Sequence, residues 1–222
     1  MTSTRLPGKV LMPLAGAPML QRLVERLARS VRLAGLVVAT SSERPDDAIE
    51  ELCRACGVDC FRGDEHDVLG RVLGAIGGGH AADIVIRLTG DNPFVDGPLV
   101  DLCIGAFEAE GENVDYASTA DSRSFPAGLS VELVRHSALQ EAAASDLPAD
   151  REHVTWFVRR QPERFQSLAI ETPHPLAKQP LTIDTPDDYE RLKPLFERLY
   201  ASDPNFSYLD IGAGIRSNGN CG

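Results

Sequence analysis

Near the start of the chain, Ser3-Thr4-Arg5-Leu6-Pro7-Gly8-Lys9 sets two cations four residues apart, with hydroxyls ahead of them and Pro7 and Gly8 to fix a turn. A loop of this kind can wrap a polyphosphate, an arginine gripping oxygens through its planar fork and a lysine acting as a point charge. The same residues also read as a basic, disordered leader. Two aspartates offer the complementary chemistry. Asp91 directly follows the apolar run Ile84-Val85-Ile86-Arg87-Leu88, and Asp184 ends Leu181-Thr182-Ile183 in the same way. Ligands of open α/β sheets collect at the carboxyl ends of strands. Two carboxylates on one such edge can hold a hard cation such as magnesium, which takes a few protein oxygens and completes its shell with substrate phosphates. The ordinary alternative is a pair of loop aspartates. Asp184 is spare in one respect: Thr185-Pro186-Asp187-Asp188 has the form of a helix start with its own cap and capping box.

Alternating helices and strands must position these groups. Met19 to Val31 carries Leu20, Leu23, Val24, Leu27 and Val31 at helical spacing, with Arg22, Glu25, Arg26 and Arg29 on the polar side. Leu36 to Thr40 reads as a strand covered on both faces. The pattern predicts helices over 45–56, 68–76 and 98–108, with strands over 58–61 and 83–88. Beyond Asn113 come strands at 116–119 and 129–134 around a polar bend, helices at 137–144 and 152–160, strands at 165–170 and 181–183, and a helix over 186–200. Such alternation predicts an α/β fold, three layers deep, with a doubly wound, mainly parallel sheet and a mixed-sheet insertion after residue 113. One domain is expected over 1–203, followed by a polar, flexible tail over 204–222.

Composition narrows the partners. The net charge of −11 over 222 residues argues against nucleic acid and anionic membranes. No run reaches the roughly 18 apolar residues of a membrane span and no apolar leader is evident, so a soluble cytoplasmic protein is expected. Cys53, Cys56, Cys60, Cys103 and Cys221 fit reduced thiols; the first three lack an obvious fourth ligand for a metal. Gly77-Gly78-Gly79 follows a helix and lacks dinucleotide-binding spacing.

Ser3 to Lys9, continued by Val10-Leu11-Met12-Pro13-Leu14-Ala15-Gly16, resembles the signature of the sugar-activating cytidylyltransferases, a family that includes the synthetases of CMP-sialic acid and CMP-3-deoxy-manno-octulosonate. The resemblance is greatest to the branch called spore coat polysaccharide biosynthesis protein F. It continues in order through Asp67-Val68-Leu69-Gly70-Arg71, Arg87-Leu88-Thr89-Gly90-Asp91-Asn92-Pro93, Arg151-Glu152-His153-Val154-Thr155 and Leu181-Thr182-Ile183-Asp184-Thr185-Pro186, to about Tyr200.

That resemblance implies a nucleotide-diphospho-sugar transferase fold, a homodimer, and transfer of CMP from CTP to an acidic or related sugar in polysaccharide biosynthesis. It implies that Ser3, Thr4, Arg5, Lys9, Arg71 and Asp91 meet the nucleotide, that Arg5 and Lys9 act in catalysis, and that Asp91 and Asp184 bind Mg2+. By its residues alone, Arg71 reads as a surface cation paired with Asp67. The resemblance also puts Gly128, Ser130, Glu132, Arg151 and His153 at the sugar, although Ser130 stands where the family usually carries an aspartate. Family members have an apolar strand ahead of the Ser-Thr-Arg segment, so a sheet with its first strand missing is expected, at a cost in stability and nucleotide affinity. The rival readings are a transferase of the same architecture using another nucleotide or acceptor, and an inactive binding domain.

Overall fold

The computed structural model describes residues 5–79, 82–174, 176 and 179–216. A three-residue helical turn at Lys9–Leu11 leads into a small antiparallel pair, β1 (Pro13–Leu14) and β2 (Ala17–Pro18). Then come α1 (Met19–Leu27), β3 (Val37–Ser41), α2 (Asp47–Cys56), β4 (Asp59–Gly63), α3 (Val68–Gly77), β5 (Ile84–Arg87) and α4 (Gly97–Ala109). The second half runs β6 (Tyr116–Ser118), β7 (Glu132–Arg135), α5 (His136–Ala142), α6 (Pro148–Glu152), α7 (Trp156–Arg159), β8 (Ser167–Ala169), α8 (Pro186–Ser202) and α9 (Ile211–Arg216).

The strands form a parallel pair, β3 with β4, and a four-stranded sheet ordered β5-β7-β6-β8. In the larger sheet only β6 and β8 are parallel, because β7 runs antiparallel between β5 and β6. The expectation of a mainly parallel sheet is therefore corrected to a mixed one. Strand alternation makes the layers: Ala117 pairs with Leu133 and faces α4 and α8, whereas Tyr116 pairs with Val134 and faces α3, α5 and α7. Each fully buried leucine or phenylalanine in these clusters contributes about 2 kcal/mol of transfer free energy.

Between β3 and β5 lies a cleft of about 420 Å3, with Leu20 and Val24 of α1 on one side and Val72 and Ala75 of α3 on the other. Among the described residues no strand pairs with the edge of β3 away from β4, or with the edge of β5 away from β7.

Three expectations fail for identifiable reasons. Residues 152–160 do not form one helix: α6 ends at Glu152, where the backbone leaves helical angles at His153 (φ −107°, ψ 86°), and the helix resumes only as α7 at Trp156–Arg159. Residues 181–183 join no ladder; Leu181 N–H donates to Ala127 O at 2.7 Å and Ile183 N–H to Asp91 O at 3.0 Å. The described part of the supposed tail is packed, with Phe206, Tyr208 and Ile211 in the main core and α9 against α8. No described helix is long and apolar enough to cross a membrane.

Candidate active site

Residues from three distant parts of the sequence meet at the carboxyl end of β5. The left-handed backbone at Gly8 (φ 70°) starts the turn that presents Lys9. The Lys9 ammonium donates to Asp91 Oδ2 at 2.7 Å and to Asp184 Oδ1 at 2.9 Å, and its side chain is only 12% exposed. Arg5 reaches the other oxygen of Asp184 at 2.5 Å from a largely exposed position. Asp91 is fixed from its second oxygen by the Thr89 hydroxyl at 2.6 Å, and Thr89 accepts from the Asn92 amide at 2.9 Å.

Asp184 is set by the chain on both sides of it. Downstream, Thr185 and Asp188 form the capping box of α8, with Pro186 at its first turn. Upstream, Gly128 (φ 96°) lies against the backbone of Leu181 and Thr182. A Cβ at Gly128 would come within 2.4 Å of both, so only glycine lets this segment approach. The Ile183–Asp91 backbone bond then draws the two carboxylates together.

Both carboxylates touch one ammonium, so they lie close enough to share one ion. Lys9 stands there as a cation between two carboxylates, and the oxygen donors suit a hard divalent ion. Two protein carboxylates leave coordination positions to water and phosphate.

The remaining expected residues separate into three places. Arg71 lines the cleft between β3 and β5 and donates to the carbonyls of Asp64 at 2.5 Å and Glu65 at 2.7 Å. Its Nε is buried without a partner. Asp67 does not pair with it: Asp67 caps α3 and faces Arg151 at 3.5 Å. Arg151 also donates to Ala143 O at 2.9 Å and lines an acidic groove with Asp64, Glu65 and Asp67, apart from His153. Ser130 is half-buried beside β7. Ser3, Thr4 and Cys221 lie outside the described residues. The other cysteines are free thiols, and burial pushes Cys53 and Cys103 up to about 12.

Glu132 and His153 line a second cavity of about 520 Å3 with Arg87, Thr155, Trp156 and Arg159. Glu132 accepts from Arg87 on one oxygen, and from the Tyr116 and Thr155 hydroxyls on the other, each at 2.9 Å. Burial alone would raise the Glu132 carboxyl, but the Arg87 charge and these bonds outweigh it and hold it below the usual range. Arg87, Thr155, Trp156 and Arg159 are functional candidates that sequence reading passed over. A cation closing the apolar run Ile84-Val85-Ile86 was the available signal, since a buried charge requires a partner.

Residues 1–206 match the family described as Cytidylyltransferase. The chain is 37% identical over 206 residues to the spore coat polysaccharide biosynthesis protein SpsF of Bacillus subtilis (strain 168), covering 89% of this chain and 83% of that protein. It is similar to the structure of a cytidylyltransferase from Leptospira borgpetersenii serovar Hardjo-bovis (strain JB197), with a TM-score of 0.89 and 32% identity over 99% of this chain and 91% of the other. At 19% identity and a TM-score of 0.62, the CMP:2-keto-3-deoxy-manno-octonic acid synthetase structure complexed with CTP shares the fold, over 88% of this chain and 94% of its own.

Proposed function

From the premise that this chain belongs to the cytidylyltransferase family, we propose that it transfers CMP from CTP to a sugar and releases pyrophosphate. The observation that carries this reading is the meeting of Lys9 with Asp91 and Asp184, with Arg5 beside them. A sugar oxygen attacks the α-phosphorus of CTP in line, a new O–P bond forms, and the bond to the β-phosphate oxygen breaks. Arg5 and Lys9 turn from the carboxylates to the triphosphate and neutralise the charge that grows on the departing pyrophosphate. Asp91 and Asp184 would hold Mg2+, which when bound supplies further charge neutralisation at the phosphates. Thr89 and the capping box of α8 keep the two carboxylates oriented, so little reorganisation is needed during the step.

Arg71, on the wall of the cleft, stands ready to meet the nucleotide through its unpartnered Nε. Homodimerisation belongs to the same reading and has its support in the family resemblance. The test is pyrophosphate release with CTP, UTP, GTP and ATP against a panel of sugars, alongside thermal shifts with each nucleotide. CTP should give the largest stabilisation and support turnover. Equal or absent shifts for all four nucleotides, without pyrophosphate release, would overturn the proposal.

A further inference from the structure

The turn that carries Asp91 is fixed from its buried side by a residue with one unmet bond. Asn92 is only 5% exposed, and its N–H donates to Thr89 O at 3.2 Å, closing the turn over Gly90 and Asp91. Downstream the chain is anchored in the core, where Phe94 and Val95 are fully buried and Arg26 donates to both their carbonyls. The Asn92 side chain reaches back to the start of the turn, and its Nδ2 donates to the Thr89 hydroxyl at 2.9 Å. Its Oδ1 is buried and has no hydrogen-bond partner among the described residues.

The direction of these bonds follows from what each group can give. Asp91 Oδ1 lies 2.6 Å from the Thr89 oxygen, and an ionised carboxylate only accepts, so the single hydroxyl hydrogen goes to Asp91. The Thr89 oxygen is then left to accept, and the Asn92 amide must turn its NH2 toward it. That arrangement leaves the amide oxygen buried and unpaired, a cost that an apolar side chain of similar size would not incur. The donor end of the amide is what the position gains. Accepting from Asn92 polarises the Thr89 hydroxyl and strengthens its own donation to Asp91. One oxygen of Asp91 is thereby committed to the relay, and only Oδ2, which meets Lys9, is left to change partner.

We propose that Asn92 is a positioning residue that acts through Thr89, holding Asp91 so that a single carboxylate oxygen is presented, beside Asp184, to the cation that takes the place of Lys9. The inference rests on the cytidylyl-transfer reading, with Asp91 and Asp184 as the cation-binding pair. Partners that orient a metal ligand from behind set metal affinity or activity by about 10- to 100-fold.

The experiment follows Mn2+ binding to the full chain by electron paramagnetic resonance, together with kcat, the KM for CTP, and Tm. Asn92→Leu should weaken Mn2+ binding roughly tenfold and lower kcat by a similar factor, while the KM for CTP stays within about threefold. Its Tm should stay within about 3 °C of the parent, because removal of the unpaired oxygen offsets the lost bond. Thr89→Val should reproduce the loss, and Thr89→Ser, which keeps the hydroxyl, should recover most of it. Thr89→Val combined with Asn92→Leu should be no worse than Thr89→Val alone, since the two residues act through one relay. Losses that multiply in the double variant would overturn the inference, as would an Asn92→Leu chain with parental Mn2+ affinity and kcat, or one whose Tm falls sharply with Mn2+ affinity unchanged. Mn2+ that fails to bind the parent would overturn it together with the cation site. A parent that binds Mn2+ but not CTP would sink the nucleotide reading, and the Mn2+ comparison would still decide the relay.

Discussion

Two places in this chain set a cation against carboxylate, and their surroundings give them different work. In the core, Arg26 and Asp96 approach to 3.6 Å with side chains 3% and 0% exposed. Arg26 donates to the carbonyls of Phe94, Val95 and Phe206 and lies 3.9 Å over the Phe206 ring. Asp96 caps α4 at Leu99 N–H and accepts from Tyr208 N–H. Burial pulls Arg26 down to about 10 even with Asp96 beside it, and raises the Asp96 carboxyl despite Arg26. At the active-site end, one lysine ammonium holds Asp91 and Asp184, and the carboxylates keep about a fifth of their surface open. The first pair spends its bonds on backbone groups from three segments and works as a tie. The second is only partly buried and carries its cations on flexible stems, so the same attraction is free to be exchanged for a ligand.

The largest effect should follow from breaking the tie. Arg26→Met leaves Asp96 buried and uncompensated and strands three carbonyls, a loss of about 3–5 kcal/mol that lowers Tm by roughly 10 °C or more in a chain of this length. Calorimetry that finds a Tm within about 3 °C of the parent would erase the distinction between the two pairs. Next comes the exchangeable site. Lys9→Met should cut kcat by about 100-fold while Tm falls by less than about 3 °C, a loss of roughly 1 kcal/mol. Added Mg2+ should stabilise this variant more than the parent, since the ammonium no longer competes for the two carboxylates. A collapse in Tm comparable with that of Arg26→Met would make Lys9 structural.

Glu132 stands between these extremes, and pH sharpens the contrast. Glu132→Gln should cost about 1–3 kcal/mol at pH 7, because it weakens the hold on Arg87 and two buried hydroxyls. The folded carboxyl lies below its ordinary 4.5. Its contribution is therefore full above that value and is lost as pH falls through the lowered folded value. The gap in Tm between parent and variant should be constant from pH 7 to about 5 and close below pH 4.5, and a gap that instead widens on acidification would contradict the assignment.

The order of helices and strands was legible because apolar spacing distinguishes the two periods. The start of α8 was legible to the residue, since a capping box is a local device complete within Thr185 to Asp188. The candidate metal-binding carboxylates stood out because each follows an apolar run. By contrast, Arg26 sits between Leu23 and Leu27 as though on a polar helix face, and nothing local marks it as buried. Its partners, Asp96 and the carbonyl of Phe206, come from remote segments. The same remoteness hid the packing of residues 206–211, whose polar and glycine-rich neighbours outweigh three large apolar side chains in any local average.

By itself the sequence determined most of the helices and strands, the family resemblance, and the placing of Asp91 and Asp184 after their apolar runs, all of which rest on near neighbours in the chain. Only the tertiary structure decided that β7 enters between β5 and β6, that Lys9 joins the two carboxylates, and that Arg87 pairs with a buried carboxylate while Arg159 pairs with an exposed one. Those outcomes depend on burial and on partners brought from far along the chain, and a charged side chain carries no local mark of whether water or protein will surround it.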